Sequence, residues 1–371
     1  MKKINLIIIM AVAVLSIFSS CKKEVIITDL VITGNVVWDQ PEYVINGTVS
    51  FVNGGVLTIS PGTTLKFETG GKIEVGYSEN STFIAEGTEK DPIIFTSNHP
   101  APTAGAWTGI IFYSNTQENS SMKYCEIEYA GNANYYQAAI VIDNCKITME
   151  NCKISKSAGY GIYAYNCKGF TNPFINNTIE DCTDHVMSMN LRYLQTLGTG
   201  NVYSPEANKG ILVGYENYSS TTSQTWTPQT AAYYVDGSYG IEGSLTIADN
   251  CVFKFGSDDG FYFGYSNNTS INANAVTFTS SAETPTHGDW YGLIFYSNTQ
   301  TANLTNCIIS SAGQGGDYDG AVEISYCTVN LDGSTISKSE SWGIYLDYES
   351  SYTGTVTFSD NTLGDVYESV K

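Results

Sequence analysis

An all-β chain wound as a parallel β-helix (a solenoid), built from two tandem homologous segments, is the fold the sequence predicts. Three observations carry that expectation. The first is duplication: IIFYSNTQ at 110–117 returns as LIFYSNTQ at 293–300, each with a tryptophan three residues ahead (Trp107, Trp290). YCEIEYAG (124–131) answers NCIISSAG (306–313), KISKS (153–157) answers TISKS (335–339), and GIYAY (161–165) answers GIYLD (343–347). The second is period. Ile127, Ile154 and Ile179 step by 27 and 25, and Ile140, Ile162 and Val186 by 22 and 24. In the second half Ile309, Ile336 and Leu363 step by 27 and 27, and Val322 to Ile344 by 22. Short strands recurring at that spacing, with Gly and Asn at the corners, fit one turn of a solenoid per repeat. The third is composition: Gly, Ser, Thr, Asn and Tyr abound, the charged fraction is 15%, and no amphipathic helix of useful length follows the N-terminus.

The chain opens MKKINLIIIMAVAVLSIFSSC, two lysines and an apolar run before Cys21. That layout reads as a lipoprotein signal over 1–20, with Cys21 the acylated residue and 21–33 a tether. Phe18 stands where an aliphatic residue is usual, which keeps an ordinary secretory peptide cleaved nearby as the alternative. Lys22 after Cys21 points to the outer membrane and exposure at the cell surface. Residues 34–203 form the first copy, 204–232 a connecting segment and 233–371 the second copy.

Within the copies, like residues should stack at about 4.8 Å from turn to turn. Asn144, Asn166 and Asn190 fall in one such column as a corner amide ladder, and Tyr326 and Tyr348 replace its first two members in the second copy. VLTISPGTTLKF (56–67) matches SLTIADNCVFKF (244–255), KIEVGY (72–77) matches GFYFGY (260–265), and Trp38 matches Trp226. The segments 34–50 and 359–371 are the candidates for covering the two ends of the stack.

LTISPGTTLKF followed by FIAEGTEKDPIIFTS (83–97) resembles the right-handed parallel β-helix repeat surface lipoproteins of Bacteroidetes type, over roughly residues 34–366. The resemblance implies a right-handed coil. It implies no single activity, because the same scaffold carries polysaccharide lyases, pectin hydrolases and adhesins.

Charge narrows the partners. Without residues 1–20 the balance is 15 basic against 37 acidic groups, net −22, which argues against nucleic acid. Polyuronates would be repelled unless a divalent cation bridged them. Cys125 over Cys152 and Cys145 over Cys167 repeat the apolar steps of 27 and 22, placing each pair within reach of a disulfide. The equivalents Cys307/Ser334 and Cys327/Glu349 favour a ladder of reduced thiols instead. No zinc spacing or CxxC occurs.

Two turns offer oxygen ligands that suit calcium, the candidate ion: Asp317 and Asp319 in GGDYDG, and Asp258 and Asp259 in SDDG. Solvated turn acids are the competing explanation. Glu126, Glu128, Asp143, Glu180 and Asp181 could meet as a carboxylate pair for glycoside hydrolysis, but no motif marks them. A lyase would need clustered bases, whereas Arg192 is the single arginine and Lys123, Lys153 and Lys156 are scattered. His99 and His287 occupy matching loops, His185 begins a strand, and no Ser–His–Asp pattern emerges. Tyrosine is the surplus, 27 in all. Tyr135, Tyr136, Tyr163, Tyr165, Tyr318 and Tyr345 are the candidate binding residues, since rings on a rigid face give contact area at low entropy cost. The sequence thus points to a lipid-anchored, non-catalytic protein for a polysaccharide or surface-protein ligand. A lyase or glycoside hydrolase on the same scaffold is the alternative, and a spacer module the third reading.

Overall fold

The structure, a computed structural model, describes residues 25–132, 137–164, 166–204, 209–214, 217–220, 222–316 and 319–369. Successive coils place three short strands on three sides, and each strand pairs in parallel with its counterpart one turn on. In the first copy, Thr64–Phe67 and Cys125–Glu128 belong to the first sheet. Lys72–Val75 and Ala138–Ile142 belong to the second, and Thr82–Glu86 and Thr148–Glu150 to the third. The fold is a right-handed parallel β-helix, as the periodicity and the resemblance together imply.

Strand alternation sorts the side chains. Leu65, Phe95, Ile127, Ile154, Ile179 and Tyr203 stack one above another inside the first sheet. Ile73, Ile110, Ile140 and Ile162 do so inside the second. Burying each such side chain contributes about 1.5–3 kcal/mol. Two column assignments shift. Ile162 pairs with Met187 rather than Val186, because the corner keeps its length: Ile154 to Ile162 and Ile179 to Met187 are equal steps of 8; Val186 and Met187 are both fully buried. Ile336 pairs with Phe358, and Leu363 is 56% exposed, because the last coil has a shorter corner.

The duplicated tryptophans do the same work twice. Trp107 stacks on Phe67 at 4.0 Å and donates its indole N–H to the Glu128 carbonyl at 2.7 Å. Trp290 stacks on Phe255 at 4.2 Å and donates to the Ser310 carbonyl at 2.8 Å. Two residues after each comes a glycine with positive φ, Gly109 at 133° and Gly292 at 129°. A β-carbon on either would sit 2.7 Å from a carbonyl of the next coil, so only glycine fits.

Corner amides stack inside the third-to-first corner: Asn201 Oδ1 accepts from Asn177 N at 3.0 Å and from its Nδ2 at 3.4 Å, and Asn177 Oδ1 accepts from Cys152 N at 2.9 Å. At the position expected to form a ladder, Asn144 N–H donates to the Asn166 carbonyl, Asn166 Nδ2 to Asp143, and Asn190 caps the 3-10 helix Leu191–Thr196. In the second copy Tyr326 and Tyr348 stack there, 5.1 Å apart and 3° from parallel.

Val25–Trp38 forms the first coil, pairing along its length with Glu42–Ile59. Residues 25–33, expected in the tether, are therefore strand, because Val25, Ile27, Leu30 and Ile32 pack onto the core. Residues 34–50 are likewise coil, not an end cover, and Gly364–Glu368 is the last strand of its sheet.

The copies join through continuous pairing. Ile211–Gly214, in the second sheet of the first copy, pairs with Tyr233–Val235, which pairs with Val252–Phe255. That last strand is the counterpart of Thr64–Phe67 and belongs to the first sheet of the second copy. The second sheet of one copy thus becomes the first sheet of the next. Equivalent surfaces are displaced by one side of the stack.

Candidate functional site

The outward column of the second sheet in the second copy runs Gly240, Tyr262, Ile294, Glu323, Tyr345, Tyr367. At its corner lie Tyr265, Tyr296, Tyr326 and Tyr348. Tyr262 and Tyr296 are 6.5 Å apart, and Tyr265 meets Tyr296 edge-on at 5.1 Å. These rings, with Glu242, Asn217 and Ser238, line an open groove of about 360 Å³. Glu242 is held in place by hydrogen bonds from Ser266 N at 3.0 Å and from the Asn267 amide. Further along, Tyr345 stacks on Tyr367 at 5.0 Å, and Trp342 leans on Tyr367 at 5.2 Å.

The first copy repeats part of this. Tyr77 meets Tyr113 edge-on at 5.0 Å, and Tyr77 and Tyr265 are each 67% exposed. There the residue equivalent to Tyr262 is Glu74, whose carboxylate pairs with Lys72 at 2.8 Å. Beyond it, Ile111, Ala138 and Val141 form a small apolar patch on the outside of the sheet, packed by Tyr113, Tyr160 and Tyr163.

Glu323 takes the outward place that Val141 holds in the first copy. Burial pushes its carboxyl up to about 7, and the nearby acids Asp319 and Asp347 add to the effect. A second acid with a raised pKa lies at the junction. Asp259 accepts the Gly256 N–H at 3.0 Å and is pushed up to about 6, mainly by burial, with Asp236 and Asp258 contributing. It borders an open pocket of about 280 Å³ with Tyr234 and His185. Burial lowers the His185 pKa, and its ring packs between Tyr160 and Tyr234.

Of the residues singled out in the sequence, Tyr163 sits on the apolar patch of the first copy and Tyr345 on the tyrosine surface of the second. Tyr135, Tyr136, Tyr165, Tyr318, Asp317 and Cys21 lie outside the described residues. Asp258 stands at the tip of its turn with φ 66°, and its carbonyl accepts Ser238 Oγ at 3.0 Å. Among the described residues, no group of three His, Cys, Asp or Glu side chains is arranged to hold a metal ion. Glu128 and Glu180 stand two turns apart with Ser155 between them, each beside a lysine: Lys156 at 3.7 Å and Lys153 at 2.7 Å. His287 bonds Asp360, and His99 bonds the Ala101 carbonyl of its own loop. The eight described cysteines are free thiols, seven of them buried. Burial pushes Cys145 up to about 12 and Cys167 up to about 11.

Glu323, Tyr262 and Tyr265 were not among the sequence candidates. The signal was a comparison between copies: AIVID at 139–143 against AVEIS at 321–325 puts an acid where an aliphatic residue stood, and KIEVGY against GFYFGY puts a ring where an acid stood.

A family profile described as a pectate-lyase like beta helix domain matches residues 30–144, the first coils of the first copy. No curated protein and no solved structure matches the chain.

Proposed function

We propose that this β-helix protein is a lipid-anchored, surface-exposed glycan-binding module of the bacterial outer membrane that holds its ligand without turning it over. The observation that carries this reading is the run of tyrosine rings on the outside of the second sheet, with an edge-on pair at equivalent positions in both copies. Strands fix the spacing of those rings at about 4.8 Å per turn, comparable to the advance of one pyranose unit, so little ordering entropy is lost on binding. The match to a pectate-lyase like beta helix domain favours a carbohydrate-related role. The lysine-led apolar segment ending in Cys21 supports anchoring, and the acidic balance speaks against nucleic acid.

The test is a glycan array probed with the purified full-length protein, repeated with Tyr326→Ala and Tyr348→Ala. Each substitution should weaken a retained glycan about 3–10-fold, from the 0.5–1.5 kcal/mol of one ring contact. Retention of no glycan, or equal binding by the variants, refutes the reading. A protein ligand would then be the occupant to seek.

Glu323 favours a second reading, a carbohydrate-active enzyme. A carboxyl that keeps its proton near neutrality suits a general acid. Release of reducing ends or unsaturated uronates from any polysaccharide, abolished by Glu323→Gln, would establish turnover.

A further inference from the structure

We infer that the groove between Tyr262, Tyr265 and Tyr296 takes an organic ammonium group, the protonated amine of an amino sugar in the bound glycan. This rests on the glycan-binding reading and narrows it.

Three observations support it. The groove is walled by aromatic faces, whose negative quadrupoles attract a cation. A carboxylate, Glu242, lies in the same wall, held there by Ser266 N and the Asn267 amide. Among the described residues, no lysine or arginine lines it. The first copy supplies the contrast. Its acid at the equivalent strand, Glu74, is already paired with Lys72, and the acid of its corner loop, Glu79, accepts the Asn53 N–H. Between the copies Lys72 becomes Gly260 and Glu74 becomes Tyr262, so the second copy loses the internal cation and gains a ring at one site. The chain's net charge of −20 works in the same direction, raising the local concentration of cations. A neutral sugar would use the rings and leave the carboxylate without a charged partner.

Titration calorimetry on the full-length protein tests this with three probes: glucosamine oligomers, the N-acetylated oligomers of equal length, and tetramethylammonium chloride. The glucosamine oligomer should bind about tenfold more tightly than its neutral counterpart, the scale expected from roughly 0.5–2 kcal/mol of cation–π attraction. Glu242→Gln should remove most of that preference, bringing the ratio of the two affinities close to one. Tyr296→Phe, which keeps the ring, should retain the preference if the fold is intact. Equal affinity for both oligomers overturns the inference and leaves glycan binding standing. Binding of tetramethylammonium with no oligosaccharide bound upholds the cation site and overturns the glycan reading beneath it. Silence with all three probes overturns both.

Discussion

Glu323→Gln should make the protein more stable at alkaline pH than the native chain, and the difference should vanish in acid. The native carboxyl is pushed from 4.5 to about 7, so between those values the folded state binds more protons than the unfolded one. Stability then falls as pH rises. The destabilisation is absent below the unfolded pKa and fully present above the folded one. A shift from 4.5 to about 7 bounds it at about 3 kcal/mol. Glu323 is partly exposed, and screening by water reduces that to about 1–2 kcal/mol. Glutamine keeps the shape and cannot ionise. Urea midpoints of the two proteins, measured at pH 5 and pH 8, isolate the effect, because the background of other acids is common to both. The gap should widen by about 1–2 kcal/mol toward pH 8. A gap independent of pH, or one that favours the native chain at pH 8, would show that Glu323 titrates as an ordinary surface carboxyl. The general-acid reading would fall with it.

Trp290→Ala should cost about 3–5 kcal/mol, since it empties a fully buried site and removes both the Phe255 stack and the bond to the Ser310 carbonyl; thermal melts report it, and a loss below 1 kcal/mol would contradict the packing. The seven buried thiols should resist alkylation near neutral pH until denaturant is added, because burial suppresses the thiolate, as at Cys145 and Cys167, pushed up to about 12 and about 11. Mass spectrometry counts the labels, and rapid labelling without denaturant would refute it. Tyr113→Ala and Tyr296→Ala should affect glycan binding additively, within about 0.5 kcal/mol, because the two sites share no partners. Strong coupling in binding assays of the double variant would show a single continuous site.

The coil period was legible because one residue type recurs wherever an interior column passes, as at Ile127, Ile154 and Ile179. Its exact register was less legible, because neighbouring apolar residues compete for one inward place. Val186 and Met187 are both apolar and both fully buried, so hydrophobicity could not choose between them; the equal step of 8 from Ile154 to Ile162 and from Ile179 to Met187 does. The same ambiguity set Leu363 in place of Phe358. Residues 25–33 are strand without alternating in sequence, since Ile26 and Val31 are apolar yet 64% and 52% exposed, and their place next to a signal segment made them read as tether. The tyrosine surface was visible as a surplus but not as a place. Which rings face outward depends on register, and which of those meet depends on corners that no pattern in one sequence fixes.

The junction matters most for what the duplication can accomplish. Ile211 to Tyr233 is a step of 22, the same as steps within a copy, so nothing in the spacing marks a change of side. Yet the strand entered as second sheet leaves as first, because the backbone bonds of a parallel ladder accept any strand whose inward residues fill the core. Tyr233 and Val235 do so beside Phe253 and Phe255. The pair Tyr77–Tyr113 therefore shares its side of the stack with Lys254 and Thr279 rather than with Tyr265–Tyr296. A stiff polysaccharide laid along one side meets one tyrosine pair, not both. Two copies joined in phase would have made one long groove. Joined out of phase by one side, they offer two separate surfaces, and avidity arises only for a ligand that bends round the stack or for a network that reaches it from two directions.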